Sequence, residues 1–311
     1  MQITQLFFVA LLSLNTLVFS QVAKPNYKPY NPEITFRKLV KKYPGISYPN
    51  LTLSKNISLN KNVVYSTNAP SVKTMDLYIN TTKKNPLIVL VHGGGWIAGT
   101  KANLSDMAIA LGNLGYSVAS LSYTLSDELG YPQSVLDIKN ALVFLKQNEA
   151  LWNYESKKIV LLGCSAGAQL ATLVGTTPNH KNFFVQDKIP ENVQAIINVD
   201  GITSFIHPEA SKEGLYAAYW LGGSVQNAEK QWEQASALEY LDSSTPPTLF
   251  LNSSFPRFHA GRDDMIKHLI KYDIDYDVHT FEDAPHSFWF FEPWFTPMIV
   301  KIDTFIKSAL K

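Results

Sequence analysis

The sequence is poor in cysteine and in charge of either sign. It contains one cysteine, Cys164, so no intramolecular disulfide can form. Charged residues make up 17% of the chain and the formal net charge is +1, so we expect no basic surface and no nucleic-acid partner. The hydrophobic fraction of 46% is typical of a globular protein and argues against a disordered chain.

Metal-binding motifs are also missing. The chain has no H-E-x-x-H sequence and no tight cluster of histidine and aspartate, so we expect neither a metal nor another cofactor. Beyond the first twenty residues, no segment is apolar enough to cross a bilayer, and stable membrane insertion is not expected. The sequence carries no information on the oligomeric state.

The first twenty residues resemble a secretory signal peptide. Leu6 to Phe19 form an apolar stretch of suitable length, and Val18 and Ser20 occupy the −3 and −1 positions of a cleavage site before Gln21. We therefore predict a signal peptide at residues 1–20. An exported chain without disulfides is typical of a bacterial envelope protein, either periplasmic or secreted.

The rest of the chain has the pattern of one α/β domain. Residues 21–65 are rich in proline, asparagine and tyrosine and predict an extended N-terminal leader. From residue 66 to 311, apolar strands alternate with helical patterns, which predicts a mostly parallel sheet with helices on both faces. Residues 202–242 interrupt this alternation after the sixth such strand and predict a short helical insertion.

One serine lies at a strand-to-helix turn. The segment Gly163-Cys164-Ser165-Ala166-Gly167 matches G-x-S-x-G and stands between an apolar strand and a helical run. Small flanking residues allow a sharp, strained turn that raises the hydroxyl above the sheet, near a helix N-terminus. Ser165 is therefore the predicted nucleophile.

A second motif, "VHGGGW", ends an earlier strand. Its adjacent glycines allow backbone N–H groups to point into a cavity. The N–H groups of Gly94, Gly95 and Ala166 are the predicted oxyanion hole, which would stabilise a tetrahedral intermediate. A flexible glycine loop without this role is the alternative.

The base is expected to be a histidine late in the chain. His286, in "EDAPHSFWFF", follows the last predicted strand, where it can reach Ser165. His259 and His268 lie in or near the preceding helix and His279 lies inside the strand, so His286 is the predicted base.

Together, "HGGGW", "GCSAG", "WLGGS", "PPTLFLNSS" and "APHSFW" resemble exported esterases of the α/β-hydrolase fold. The resemblance spans roughly residues 70–310. It is narrowest to Bacteroidetes carbohydrate esterases that include bifunctional feruloyl and acetyl-xylan esterases. One departure is Thr124, where relatives often carry arginine after the tyrosine.

The resemblance implies hydrolysis of a carboxylic ester, with acetyl or feruloyl groups on plant polysaccharide as candidate substrates. Trp96 and Trp289 are candidates for stacking on a sugar or a phenolic ring, although ordinary packing explains each equally well. A lipase, a serine peptidase and a catalytically inactive fold that binds a glycan or a protein are the alternatives.

The acid that orients His286 is the least determined member of the site. In this fold it usually follows the seventh strand, but that position here is occupied by Ser254, Phe255 or Pro256. Asp200 stands at the end of the sixth strand, where active-site groups of such sheets gather, and the resemblance permits this shift. We therefore assign Asp200 as the acid, with Asp263 at the start of the next helix as the alternative.

Overall fold

The structure is a computed structural model that describes residues 22–67, 70–186, 188–210 and 214–311. The predicted signal peptide lies outside the described residues. Within them, no helix has both the length and the apolar character that crossing a bilayer would require.

The described residues form one eight-stranded sheet in which most neighbours run parallel. Its order is β1-β2-β4-β3-β5-β6-β7-β8, with antiparallel pairing only where β2 meets β1 and β4. The strands are β1 Ile57–Ser66, β2 Lys73–Asn80, β3 Pro86–Val91, β4 Ser117–Leu121, β5 Glu155–Cys164, β6 Ala195–Val199, β7 Thr248–Asn252 and β8 Tyr276–Thr280. The mostly parallel sheet predicted from the alternation of patterns is confirmed.

Helices cover both faces of the sheet. The α-helices of the described residues are α1 Pro32–Leu39, α2 Ser105–Asn113, α3 Gln133–Gln147, α4 Glu149–Trp152, α5 Ala166–Thr176, α6 Gly214–Leu221, α7 Glu229–Gln234, α8 Arg262–Lys271 and α9 Phe295–Ala309. Side chains of α3 and α5 belong to one apolar cluster, and those of α2 and α9 belong to another. Five of the six residues of β3 are buried, as expected for a strand covered on both faces, which explains its continuous apolar run.

The prediction that residues 21–65 form an extended leader needs correction, because they contain a helix and most of a strand. Helix α1 begins where Asn31 accepts a hydrogen bond from the Ile34 N–H and Pro32 fits the first helical position. Strand β1 is an edge strand with only two buried residues, so its sequence shows little alternation. Residues 22–56, which precede the sheet, form the leader segment.

The insertion at residues 202–242 is helical where it is described. It contains α6 and α7, with 3₁₀ turns at 208–210 and 237–240. Three of its large aromatic side chains are buried: Phe205, Trp220 and Trp232 are each under 5% exposed. The insertion therefore forms a packed wall over one part of the sheet.

A buried ion pair holds helix α3 to the chain between α5 and β6. Lys139 and Glu191 are both fully buried, and Lys139 Nζ donates to Glu191 Oε2 and to the Thr177 carbonyl. Burial lowers the pKa of Lys139, and the neighbouring Glu191 opposes that shift. An uncompensated buried charge is costly, so each member of the pair depends on the other.

We expect Lys139→Met to lower the free energy of unfolding by about 3–5 kcal/mol, because it leaves Glu191 buried without its cation. Urea unfolding followed by circular dichroism measures the change. Lys158→Met is the control, since Lys158 pairs with Glu155 at the surface, where both side chains are at least 33% exposed. Its cost should stay below about 1 kcal/mol, and equal losses in the two variants would contradict the expectation.

Candidate active site

The candidate nucleophile stands on a strained turn between β5 and α5. Ser165 has φ 55° and ψ −124°, a backbone conformation that residues other than glycine seldom adopt. The flanking glycines are required by contact: a Cβ on Gly163 would lie 2.0 Å from the Gly167 carbonyl oxygen, and one on Gly167 would lie 2.1 Å from the Val91 carbonyl oxygen. The close packing of β3, β5 and α5 thus explains the G-x-S-x-G spacing.

Ser165, His286 and Asp200 form a continuous chain of hydrogen bonds. Ser165 Oγ lies 2.9 Å from His286 Nε2, and His286 Nδ1 lies 2.7 Å from Asp200 Oδ2. A carboxylate accepts from Nδ1–H, which leaves the lone pair of Nε2 to accept the serine proton. The arrangement has the geometry of a nucleophile, a base and an orienting acid; the catalytic roles themselves remain predictions.

The buried carboxylate of Asp200 is held by backbone groups at the ends of β6 and β7. The carboxylate Oδ1 accepts from the Ser253 N–H at 2.9 Å, and the backbone N–H of Asp200 donates to the Leu251 carbonyl. The residue has φ 57° and a side chain with no exposed surface. Both carboxylate oxygens therefore have donors, as a buried charge requires.

Asp263 lies away from this chain of hydrogen bonds. Its side chain is 69% exposed and binds the Arg262 guanidinium at 2.8 Å. That hydrogen bond lowers the pKa of the Asp263 carboxyl below its usual value. The structure thus brings Asp200 to the imidazole and leaves Asp263 in the first turn of α8.

An aromatic ring occupies the loop after β7, where the acid of this fold usually lies. The Phe258 ring stacks on the His286 imidazole, with centroids 3.4 Å apart and planes 11° apart. The Arg257 guanidinium lies 3.9 Å from the centroid of the Phe258 ring. Sequence reasoning missed Phe258, although the lack of an acid in "FPRFHAG" was the available signal.

The glycine loop after β3 lies directly against the nucleophile. A Cβ on Gly93 would approach Ser165 Cβ to 3.0 Å. Gly94 and Gly95 have φ values of 125° and 59°, and the Gly94 carbonyl accepts from Ile97 and Ala98. Gly95 lines the cavity at Ser165.

The N–H of Ala166 is the first of helix α5 and has no partner within the helix. Ala166 lines the same cavity as Gly95. Two of the three residues predicted for the oxyanion hole, Gly95 and Ala166, therefore line the cavity at Ser165, whereas Gly94 is not in the lining. The function of the three N–H groups stays a prediction.

His92, at the start of the glycine loop, is held in place by Tyr123. Its ring stacks on Tyr123, and the Tyr123 hydroxyl donates to the His92 carbonyl at 2.8 Å. Burial lowers the pKa of His92 to about 4, so the ring is neutral at neutral pH and places no charge beside the site.

The cavity at Ser165 is small, with a volume of about 40 Å³. It is lined by Gly95, Trp96, Ser165, Ala166, Gln169, Asp200, Gly201, Ile202 and Phe258. Trp96 forms one wall: its Nε1 donates to Gln169 Oε1 at 3.0 Å and its ring stacks on Trp220. Among the residues that the structure describes, no group of histidine, cysteine or acidic side chains could hold a metal ion.

The expectation that Trp289 stacks on the substrate needs correction, because its indole is buried away from the cavity. Its indole is 1% exposed and stands perpendicular to the His286 ring, with centroids 5.0 Å apart. It is not part of the cavity lining. The aromatic run "FWFF" at 288–291 instead packs into the core beneath the base.

A family model described as BD-FAE matches residues 75–264, more than half of the chain. Esterase LipC of Mycobacterium tuberculosis is 24% identical over 182 residues, covering 56% of this chain and 45% of that protein. Versiconal hemiacetal acetate esterase of Aspergillus parasiticus is 28% identical over 167 residues, covering 51% of this chain and 46% of that protein. The chain thus spans less than half the length of these relatives.

Solved structures share the fold at low sequence identity. A truncated carbohydrate esterase from gut microbiota has a TM-score of 0.65 at 18% identity and covers 84% of this chain and 100% of its own. An acetyl ester-xyloside bifunctional hydrolase from Caldicellulosiruptor lactoaceticus has a TM-score of 0.65 at 20% identity, with coverages of 82% and 96%. The α/β-hydrolase fold predicted from the resemblance is confirmed.

The two aspartates can be separated by matched substitutions. We expect Asp200→Asn to lower kcat by about 10²–10⁴-fold, because an amide N–H facing Nδ1 favours the wrong histidine tautomer. Asp263→Asn should change kcat by less than about tenfold, since the Asp263 carboxylate binds the Arg262 guanidinium and not the His286 ring. Hydrolysis of 4-nitrophenyl acetate measures both, and the reverse order of losses would assign the acid to Asp263.

Proposed function

Since the chain belongs to the BD-FAE family, we propose that it is a serine carboxylic-ester hydrolase. The observation that carries the proposal is the hydrogen-bonded chain from Ser165 through His286 to Asp200, which opens on a cavity. The names of the relatives support it, because they are esterases. Three side chains linked in series by hydrogen bonds favour an enzyme over an inactive fold that only binds.

In the proposed first step, Ser165 Oγ attacks the carbonyl carbon of the ester. His286 Nε2 takes the serine proton, and the buried Asp200 carboxylate stabilises the resulting imidazolium. The carbonyl oxygen becomes an oxyanion next to the N–H groups of Gly94, Gly95 and Ala166. His286 then gives its proton to the departing alkoxide, so the alcohol leaves and an acyl-serine remains.

The second step repeats the first with water as the nucleophile. His286 Nε2 takes a proton from water, whose oxygen attacks the acyl carbonyl carbon. The second tetrahedral intermediate collapses when His286 returns the proton to Ser165 Oγ. The carboxylic acid is released and the enzyme is restored.

The size of the cavity favours a substrate with a small acyl group. A volume of about 40 Å³ corresponds to about three water-sized positions, and Phe258 and Trp96 close its sides. This space suits an acetyl group better than a feruloyl group. The names of the carbohydrate esterase and the acetyl ester-xyloside hydrolase among the structural neighbours support a sugar as the alcohol, and we propose acetylated plant polysaccharide as the substrate class.

Export is part of the same proposal. A polysaccharide substrate lies outside the bacterial cell, and the apolar stretch from Leu6 to Phe19 supports a signal peptide. Those residues lie outside the described part of the chain.

We expect Ser165→Ala to lower kcat on 4-nitrophenyl acetate by about 10⁴-fold or more, because it removes the nucleophile. A fluorophosphonate probe should label the unchanged protein at Ser165, as read by mass spectrometry, and should not label the variant.

Ser58→Ala is the control for this substitution, since Ser58 is an exposed residue of the edge strand β1. It should keep full activity and labelling. A folded Ser165→Ala variant that keeps more than a few per cent of the activity would overturn the assignment of the nucleophile.

We expect kcat/KM on 4-nitrophenyl esters to fall at least about tenfold from acetate to octanoate. The leaving group is the same throughout the series, so the change reports on the acyl chain, including its fit to the cavity. A maximum at eight carbons or more would instead support a lipase.

A further inference from the structure

One residue of the leader segment reaches the loop that carries the candidate base. Tyr30 Oη lies 3.1 Å from Ser287 Oγ, and the two hydroxyls share a hydrogen bond. Ser287 directly follows His286 in the chain. The contact therefore joins a segment before the sheet to the residue next to the imidazole, 257 positions later.

The backbone at Ser287 is strained, so it needs support. Ser287 has φ 76° and ψ 19°, in the left-handed region that favours glycine. The residue is 4% exposed. Its carbonyl accepts from the Phe290 N–H and begins the 3₁₀ turn Phe288–Phe290. Relaxation of Ser287 to an ordinary conformation would rotate the peptide that follows His286 and move the imidazole.

Tyr30 is itself firmly placed. Its carbonyl accepts from Asn103 Nδ2 at 2.9 Å, and its ring packs on Phe290 with centroids 5.7 Å apart. The next residue, Asn31, caps helix α1. Burial raises the pKa of Tyr30 far above its ordinary value, so the phenol keeps its proton and remains able to donate.

We propose that Tyr30 is a positioning residue for the proposed hydrolysis, acting through Ser287 on His286. The hydrogen bond from the leader segment holds the strained Ser287 conformation, and this conformation aims the imidazole at Ser165. The inference rests on the proposed function, because it assumes that His286 is the base. Tyr30 and Ser287 both lie outside the region that the family model matches, residues 75–264.

A displacement of a catalytic group by about 1 Å can cost about 10²-fold in rate. Loss of one supporting hydrogen bond should allow a smaller displacement. We therefore expect Tyr30→Phe to lower kcat on 4-nitrophenyl acetate by about 5- to 50-fold, with KM changed by less than about twofold. Labelling of Ser165 by the fluorophosphonate probe should slow by the same factor, because it uses the same base.

Tyr27→Phe is the matched control. Tyr27 is also a leader tyrosine, but its hydroxyl donates to Asp127 on the surface. This variant loses the same atom from the same segment and should keep kcat within about twofold. A general loosening of the leader would affect both variants alike.

The Tyr30–Ser287 hydrogen bond is tested by a double-mutant cycle. Ser287→Ala should reproduce the loss of kcat seen in Tyr30→Phe, and the double variant should be no slower than the slower single variant. Ser287→Ala also carries the test if Tyr30→Phe does not fold, because it removes the other oxygen of the same hydrogen bond.

Three results would overturn the inference. They are a Tyr30→Phe variant as active as Tyr27→Phe, a loss confined to KM, and a double variant whose loss is the product of the two single losses. Ser165→Ala separates this failure from failure of the proposed function. If Ser165→Ala is inactive and Tyr30→Phe is normal, only the positioning role is wrong; if Ser165→Ala is active, the proposed hydrolysis itself is wrong.

Discussion

The contact between His286 and Asp200 fixes the rest of the site. A carboxylate with no exposed surface is stable only if donors surround it. The Ser253 N–H and the imidazole N–H supply these donors. Because the imidazole must give its Nδ1 proton to Asp200, its Nε2 is left to accept from Ser165. The protonation pattern that the proposed hydrolysis needs thus follows from the need to satisfy a buried charge.

The position of Asp200, directly after β6, bears on the loop after β7. If Asp200 is the acid, as predicted, that loop has no carboxylate to supply, and it presents Phe258 to the imidazole instead. The ring covers one face of His286, while Trp289 stands edge-on at 5.0 Å and Asp200 binds Nδ1. Carboxylate and aromatic contacts from three separate loops therefore hold one imidazole.

Sequence reasoning reached the parts of the site that local patterns encode. Ser165 and its glycines were predictable because a strained turn imposes small residues at fixed spacing, and His286 because it follows the last strand. Asp200 required the observation that the usual position lacked an acid. Trp289 was misplaced because its type alone does not show which way a ring points. The Tyr30–Ser287 contact was out of reach, since no short-range pattern links residues so far apart in the chain. Strand β1 was missed because only two of its residues are buried.

Phe258 also connects the size of the cavity with the state of the base. The same ring that lies on His286 at 3.4 Å closes one side of the cavity. A longer acyl group that extended on this side would displace the ring, and that displacement would remove a contact of the imidazole. The proposed preference for small acyl groups and the orientation of the proposed base would therefore both depend on one packing arrangement. Trp96, which also lines the cavity, is held by Gln169 and Trp220, so Phe258 is the aromatic residue of the lining that stacks on His286.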